Sequence, residues 1–180
     1  MFEVPRRERL LIYGPQMINV ESDTVTFDEY DLLPSLREYL LDIMEHHNGC
    51  GLAAPQTGIF KNFLVMQTLE GKFLDMVNPV MMQMWGHEID GFEACLSIPP
   101  VGNGCPVARL QYVKVEYGTS ASPNSRETHE FSGLNAIIVQ HEMDHLTGTF
   151  FIDRAKINRR KEVFELFQKW KRQQPVVSIR

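Results

Sequence analysis

The run His141-Glu142-Met143-Asp144-His145 holds the residues whose types and spacing could most directly do chemistry in this chain of 180 residues. On a helix, side chains four apart share a face with Cβ atoms about 5–6 Å apart, so two imidazoles at that spacing can close on one cation. Glu142, between them, is suited to handle the proton of a water held there. The same residues also read as a pair of helix histidines that pack or hydrogen-bond without metal. A catalytic site of the first kind keeps three protein donors and one open position, which raises the question of a third donor. The long zincin pattern would put a histidine at 151, where this chain has Phe151. A thermolysin-like site would use a downstream glutamate, but Glu162 and Glu165 fall in a basic amphipathic segment where surface charge explains them.

The upstream candidates are Cys50, Cys95, Cys105, His46, His47, His87 and His129. Cys95 lies in Glu93-Ala94-Cys95-Leu96-Ser97, ahead of the rigid Pro99-Pro100. Its thiolate could complete a Cys/His/His set. By composition alone such a cysteine is more often a small buried apolar side chain. The third unusual segment is Gly49-Cys50-Gly51-Leu52-Ala53-Ala54-Pro55-Gln56, whose small residues admit a second backbone and whose Gln56 offers an amide donor. Taken alone, it is a weak signal that a tight helix exit would also give. Cys50 and Cys105 are expected to be structural, because a fourth protein ligand would close the site to water. His46, His47 and His87 are expected at the surface or at helix caps. Asp144 either orients a neighbouring side chain or is a solvated helix residue.

These segments need elements to carry them. Leu36, Leu40, Ile43 and Met44 recur at helical spacing after Pro34 and predict a helix over Ser35–His47, stopped by Asn48-Gly49. Phe63–Gln67 and Phe73–Val77 read as strands around Glu70-Gly71, Leu110–Tyr117 as a half-buried strand, and Glu127–Phe131 as its return. Leu134, Ile137, Ile138 and His141 predict a helix over Ser132–Leu146 that ends at Gly148. A last helix over Asn158–Arg172 carries an apolar stripe of Val163, Phe164, Leu166, Phe167 and Trp170.

Composition bounds the rest. Hydrophobic residues make up 43% and charged residues 23%, ordinary globular usage that disfavours disorder, collagen-like repeats and coiled coil. No apolar run approaches the roughly 20 residues of a membrane span, and the acid-bearing start fits neither a secretory nor a transit peptide. Three cysteines, an odd number, point to a reducing cytoplasm rather than a disulfide framework. The net charge of −5 is uneven: Arg154–Arg180 has nine basic and two acidic residues, a net +7, and the preceding residues have nine and twenty-one, a net −12. A basic tail on an acidic body fits either an anionic partner or a solvated helix face.

Together, Gly49–Gln56, Glu93–Ser97 and His141–His145 resemble, in order and separation, the three motifs of the peptide deformylase family. Asn78-Pro79 and Phe151-Ile152-Asp153-Arg154 extend the resemblance over nearly the whole chain. It implies an α+β fold: one catalytic domain over 1–180, with mostly antiparallel strands around the central helix and a C-terminal helix beyond. It implies removal of the formyl group from the initiator methionine of nascent chains. Cys95, His141 and His145 would bind one metal, Fe2+, with Zn2+, Ni2+ or Co2+ able to substitute. Glu142 would act as general base and acid toward metal-bound water. Gln56 and the Leu96 backbone N–H would stabilise the developing oxyanion, and backbone at Gly51 and Ala94 would pair with the substrate. Ile137, Ile138 and His141 would line a methionine pocket, and Arg109 would be a framework residue. The implied partners are N-formyl-methionyl peptides and, through the basic C-terminal helix, the ribosome. A cytoplasmic monomer with no membrane or DNA partner is expected. Ala94 stands where the family usually has glycine, the 100–106 segment looks long and lacks an arginine, and Gly14–Thr24 differs from the commonest start. Ala94 and the long segment motivate an alternative: altered substrate choice, or peptide binding without efficient turnover.

Overall fold

A computed structural model describes residues 1–99 and 104–174, so most of the long segment singled out above lies outside the described residues. A 3-10 turn (Phe27–Leu32) leads into α1 (Leu33–His46), which has Pro34 in its first turn. Leu33, Leu36, Leu40, Ile43 and Met44 face inward at helical spacing and pack on β1 (Gly51–Ala53) and β2 (Phe63–Gln67). β3 (Phe73–Glu93), β4 (Cys105–Gly118) and β5 (Glu127–Ser132) complete a sheet ordered β1-β2-β3-β4-β5, antiparallel at every step. The architecture is α+β, as expected.

β3 runs far beyond the expected Phe73–Val77, through to Glu93. Register shifts between Val77 and Val80, Met81 and Gln83, and Trp85 and Glu88 break its alternation. Positive φ at Asn78 and Gly86 marks two of those places. The outer half of the β3–β4 hairpin exposes Met82, Met84 and Phe92, so no continuous buried face betrays it in the sequence. Its function is positional: pairing Glu93 with Cys105 delivers Cys95 two residues past the strand end.

α2 (Gly133–His145) lies across the sheet, and every residue from Ala136 to Glu142 is buried. Ala136, Ile138 and Val139 join Leu64, Met66, Met76, Val113 and Val115 in one cluster. At its C-terminal end Gly148, with φ of 65°, lets the 17–22 segment lie against the turn, where Asn19 N–H donates to the Gly148 carbonyl and Ser22 N–H to that of Leu146. A short turn, α3 (Phe151–Arg154), precedes α4 (Ile157–Gln173). α4 buries Val163 and Phe167, with Trp170 partly covered, while Phe164 and Leu166 of the expected stripe are exposed. No helix among the described residues is long and apolar enough to cross a membrane.

Candidate metal centre and cleft

The structure brings Cys95, His141 and His145 together. All three are buried, and their donor atoms lie within 4.8 Å of one another. Cys95 Sγ is 3.4 Å from His145 Nε2, which is 3.2 Å from His141 Nε2. Donors bound tetrahedrally to one ion at about 2.0–2.3 Å would stand about 3.3–3.6 Å apart, so the spacing fits a cation without rearrangement. A thiolate with two imidazoles suits Fe2+, Zn2+, Ni2+ or Co2+ rather than a hard, oxygen-loving ion.

Helix geometry supplies the two imidazoles, and the end of β3 supplies the sulfur. His141 Nδ1–H donates to Glu93 Oε2 at 2.7 Å, which leaves Nε2 free to face the sulfur and His145. Arg109 grips the same carboxylate through Nε at 2.6 Å and Nη2 at 2.8 Å, and its Nη1 donates to Asp144 at 2.7 Å. Arg154 donates to both Asp144 oxygens at 2.5 Å. Asp144 is therefore the orienting group, not a solvated one, and Arg109 is a framework residue in a chain of alternating charge that is buried up to Asp144 and ends at the exposed Arg154. Burial would raise the Glu93 pKa, but Arg109 and His141 outweigh it and hold the carboxyl at about 2. For His141, burial opposes protonation, yet Cys95 and Glu93 raise its affinity for positive charge. His145 is held neutral by burial and by the charge on His141. What favours a proton at this point favours a cation there.

Glu142 is buried, and its Oε2 has no hydrogen-bond partner. Burial, countered by His141 and assisted by Glu93 and Asp144, pushes its carboxyl up to about 7. The carboxylate has room only because residue 51 is glycine: a Cβ there would meet Glu142 Oε1 at 2.5 Å. Gln56 Oε1 accepts from Ala53 N–H at 2.9 Å, which turns Nε2 toward Cys95 Sγ at 3.4 Å and Ser97 Oγ at 3.2 Å. These groups open on a cleft of about 920 Å³ lined also by Leu96, Ile137, Ile138 and Ala94. Ala94 is not among the residues with positive φ, so the alanine is unstrained. Cys50, His46, His47, His87 and His129 are exposed and Cys105 is buried; none is part of the Cys95 cluster.

Sequence reasoning gave Glu93 no role of its own. The available signal was its position two residues before Cys95, at a strand end, where alternate side chains point the same way.

Comparisons with known proteins agree with this geometry. Residues 8–161 match the family model described as "Polypeptide deformylase". "Peptide deformylase" of Desulfitobacterium hafniense is 39% identical over 129 residues, covering 72% of this chain and 82% of that one. "Peptide deformylase 1" of Bacillus subtilis is 35% identical over 150 residues, covering 82% and 89%. Among solved structures, a plant peptide deformylase superposes with a TM-score of 0.85 at 26% identity, covering 96% of this chain and 94% of that one. A peptide deformylase from Legionella pneumophila gives 0.79 at 28% identity, covering 93% and 98%. By residues matched, by identity and by fold, the chain belongs to the peptide deformylase family.

Proposed function

We propose that the protein is a metal-dependent hydrolase that removes the N-formyl group from the initiator methionine of nascent polypeptides. The observation that carries this reading is the buried sulfur-and-two-nitrogen donor set beside Glu142, whose unpartnered carboxylate lines the same cleft. The ion proposed is Fe2+, with Zn2+, Ni2+ or Co2+ able to take its place at Cys95, His141 and His145. Once bound, it supplies Lewis acidity and lowers the pKa of a water toward about 7.

The chain's own residues do the rest. Glu142 takes the water's proton and returns it to the departing amine nitrogen. The Gln56 amide and the Leu96 backbone N–H stabilise charge developing on the formyl oxygen; losing one such donor typically costs about 10²–10³ in rate. β1 is the first strand of the sheet, so backbone at Gly51, with Ala94 across the cleft, can pair with a peptide as an added strand. Ile137, Ile138 and His141 line the space for the methionine side chain. The same reading sets the protein in a reducing cytoplasm as a monomer, with no membrane or DNA partner and with the basic face of α4 meeting the ribosome.

Formate release from formyl-Met-Ala-Ser by anaerobically purified, iron-loaded protein tests the activity. Glu142→Gln is expected to retain metal and lose turnover by about 10²–10⁴. Retained deformylation in that variant would refute the mechanism, and metal-loaded wild type that releases no formate would leave only peptide binding.

A further inference from the structure

We infer that Glu8, His46 and His47 form a second cation site, for a late first-row divalent ion such as Zn2+, at the mouth of the cleft. Their donor atoms lie within 4.8 Å of one another, the other such cluster found among the described residues. Glu8 Oε1 and His47 Nε2 share a hydrogen bond of 2.5 Å, which an ion would replace by opening the pair to about 3.3 Å, and Glu8 Oε2 is 4.0 Å from His46 Nδ1. The two imidazole rings lie 5.0 Å apart and are tilted by 53°. Two nitrogens and a carboxylate oxygen, with solvent free to take a fourth position, are a donor set that zinc accepts. No thiolate belongs to it, which separates it chemically from the Cys95 centre.

Two features of the fold favour a cation at this point. His46 ends α1 and His47 caps it, so both stand where the helix carries its negative partial charge. The carboxylate comes from a separate segment held against the same helix: Arg9 N–H donates to Tyr39 Oη at 3.0 Å, and that hydroxyl donates to the Arg7 carbonyl at 3.4 Å. Glu8 and His47 both line the cleft, as do Leu10 and Ile12 beyond Glu8. An ion at this point would clasp the N-terminal wall of the cleft to α1. The inference does not depend on which reaction the Cys95 centre performs.

Cobalt(II) titration separates the two centres by their donors. The first equivalent is expected at Cys95, His141 and His145, with a thiolate-to-metal charge-transfer band. A second equivalent is expected to add only ligand-field absorption. Equilibrium dialysis against Zn2+ counts equivalents directly. Partners that merely orient metal ligands are worth about 10–100-fold in affinity, so losing a direct donor in His46→Ala, His47→Ala or Glu8→Gln should weaken the second equivalent by more than about 10-fold. The double histidine variant should bind one equivalent with the charge-transfer band unchanged. All three side chains are exposed, so folding is not at stake. Wild-type protein that stops at one equivalent, or a second equivalent that survives both histidine substitutions, would overturn the proposal.

Discussion

Glu142 keeps its place through a side chain that another residue lacks. Gly51 stands so close that a single added methyl would meet the carboxylate, and a backbone wall cannot yield as a flexible side chain can. Gly51→Ala is therefore expected to lower kcat by displacing Glu142 while metal content stays at the wild-type value; unchanged kcat with intact metal would show that the glycine is not what holds the carboxylate in its working position. Glu93 acts one step further out. Glu93→Gln should weaken metal retention by about 10–100-fold, read as residual metal after dialysis against a chelator. It should also cost about 3–5 kcal/mol of stability, because Arg109 would lose its bidentate partner inside the protein. The pair His141 and His145 is legible in the sequence from residue type and i, i+4 spacing, whereas Cys95 is tied to them only by the family resemblance, since no local period links residues that far apart. The chain Glu93–Arg109–Asp144–Arg154 is not legible either, since its links join residues 16, 35 and 10 apart and no local period records which carboxylate meets which guanidinium.

Elements divide along the same line. α1, α2, β2 and β5 lie within two residues of their expected bounds: α1, α2 and β2 each present one uninterrupted buried pattern, whereas β5 buries only Phe131 and is marked by the Ser/Pro/Asn loop before it. β3 was read at a quarter of its length, since bulges and an exposed outer half erase the alternation that marks a strand. The 3-10 turn before α1 was missed as well, though it is anchored by charge. Glu29 is buried, bonds Lys61 at 2.9 Å and accepts from Thr26 N–H at 3.1 Å. Burial alone would raise its pKa, but Lys61 and Thr26 outweigh it and hold the carboxyl below the usual carboxylate range. A carboxylate whose folded pKa is depressed adds stability that is fully present above its unfolded value and is lost as pH falls through the folded one. Glu29→Gln should therefore destabilise the protein at neutral pH and flatten the fall of its unfolding temperature under acid. A variant with the wild-type acid profile would show that Glu29 does not contribute to it.

Across the whole molecule, charge is segregated: the acidic body carries the cleft, and α4 carries six of the nine basic residues of the tail. Truncating α4 would confuse charge with packing, because Val163 and Phe167 belong to the core. Lys161, Lys169 and Arg172 are exposed and carry no ion pair among the described residues, so changing these to glutamate isolates the electrostatic part. Ribosome co-sedimentation should be lost in that variant and should weaken steeply with salt in the wild type, while formate release from short peptides is unchanged. Co-sedimentation that ignores both salt and charge reversal would rule out docking through this face. The sheet has a consequence of its own for the order of assembly. Strand order equals chain order, so every pairing closes between consecutive segments, and the sheet can grow hairpin by hairpin with little loop-closure cost. Cys95 and Gln56 then lie on one finished surface, and the two imidazoles arrive together when the last strand runs straight into the helix above it. A half-assembled chain would offer one donor or two, never three, so under the proposed metal binding tight capture of an ion would report that the helix has docked.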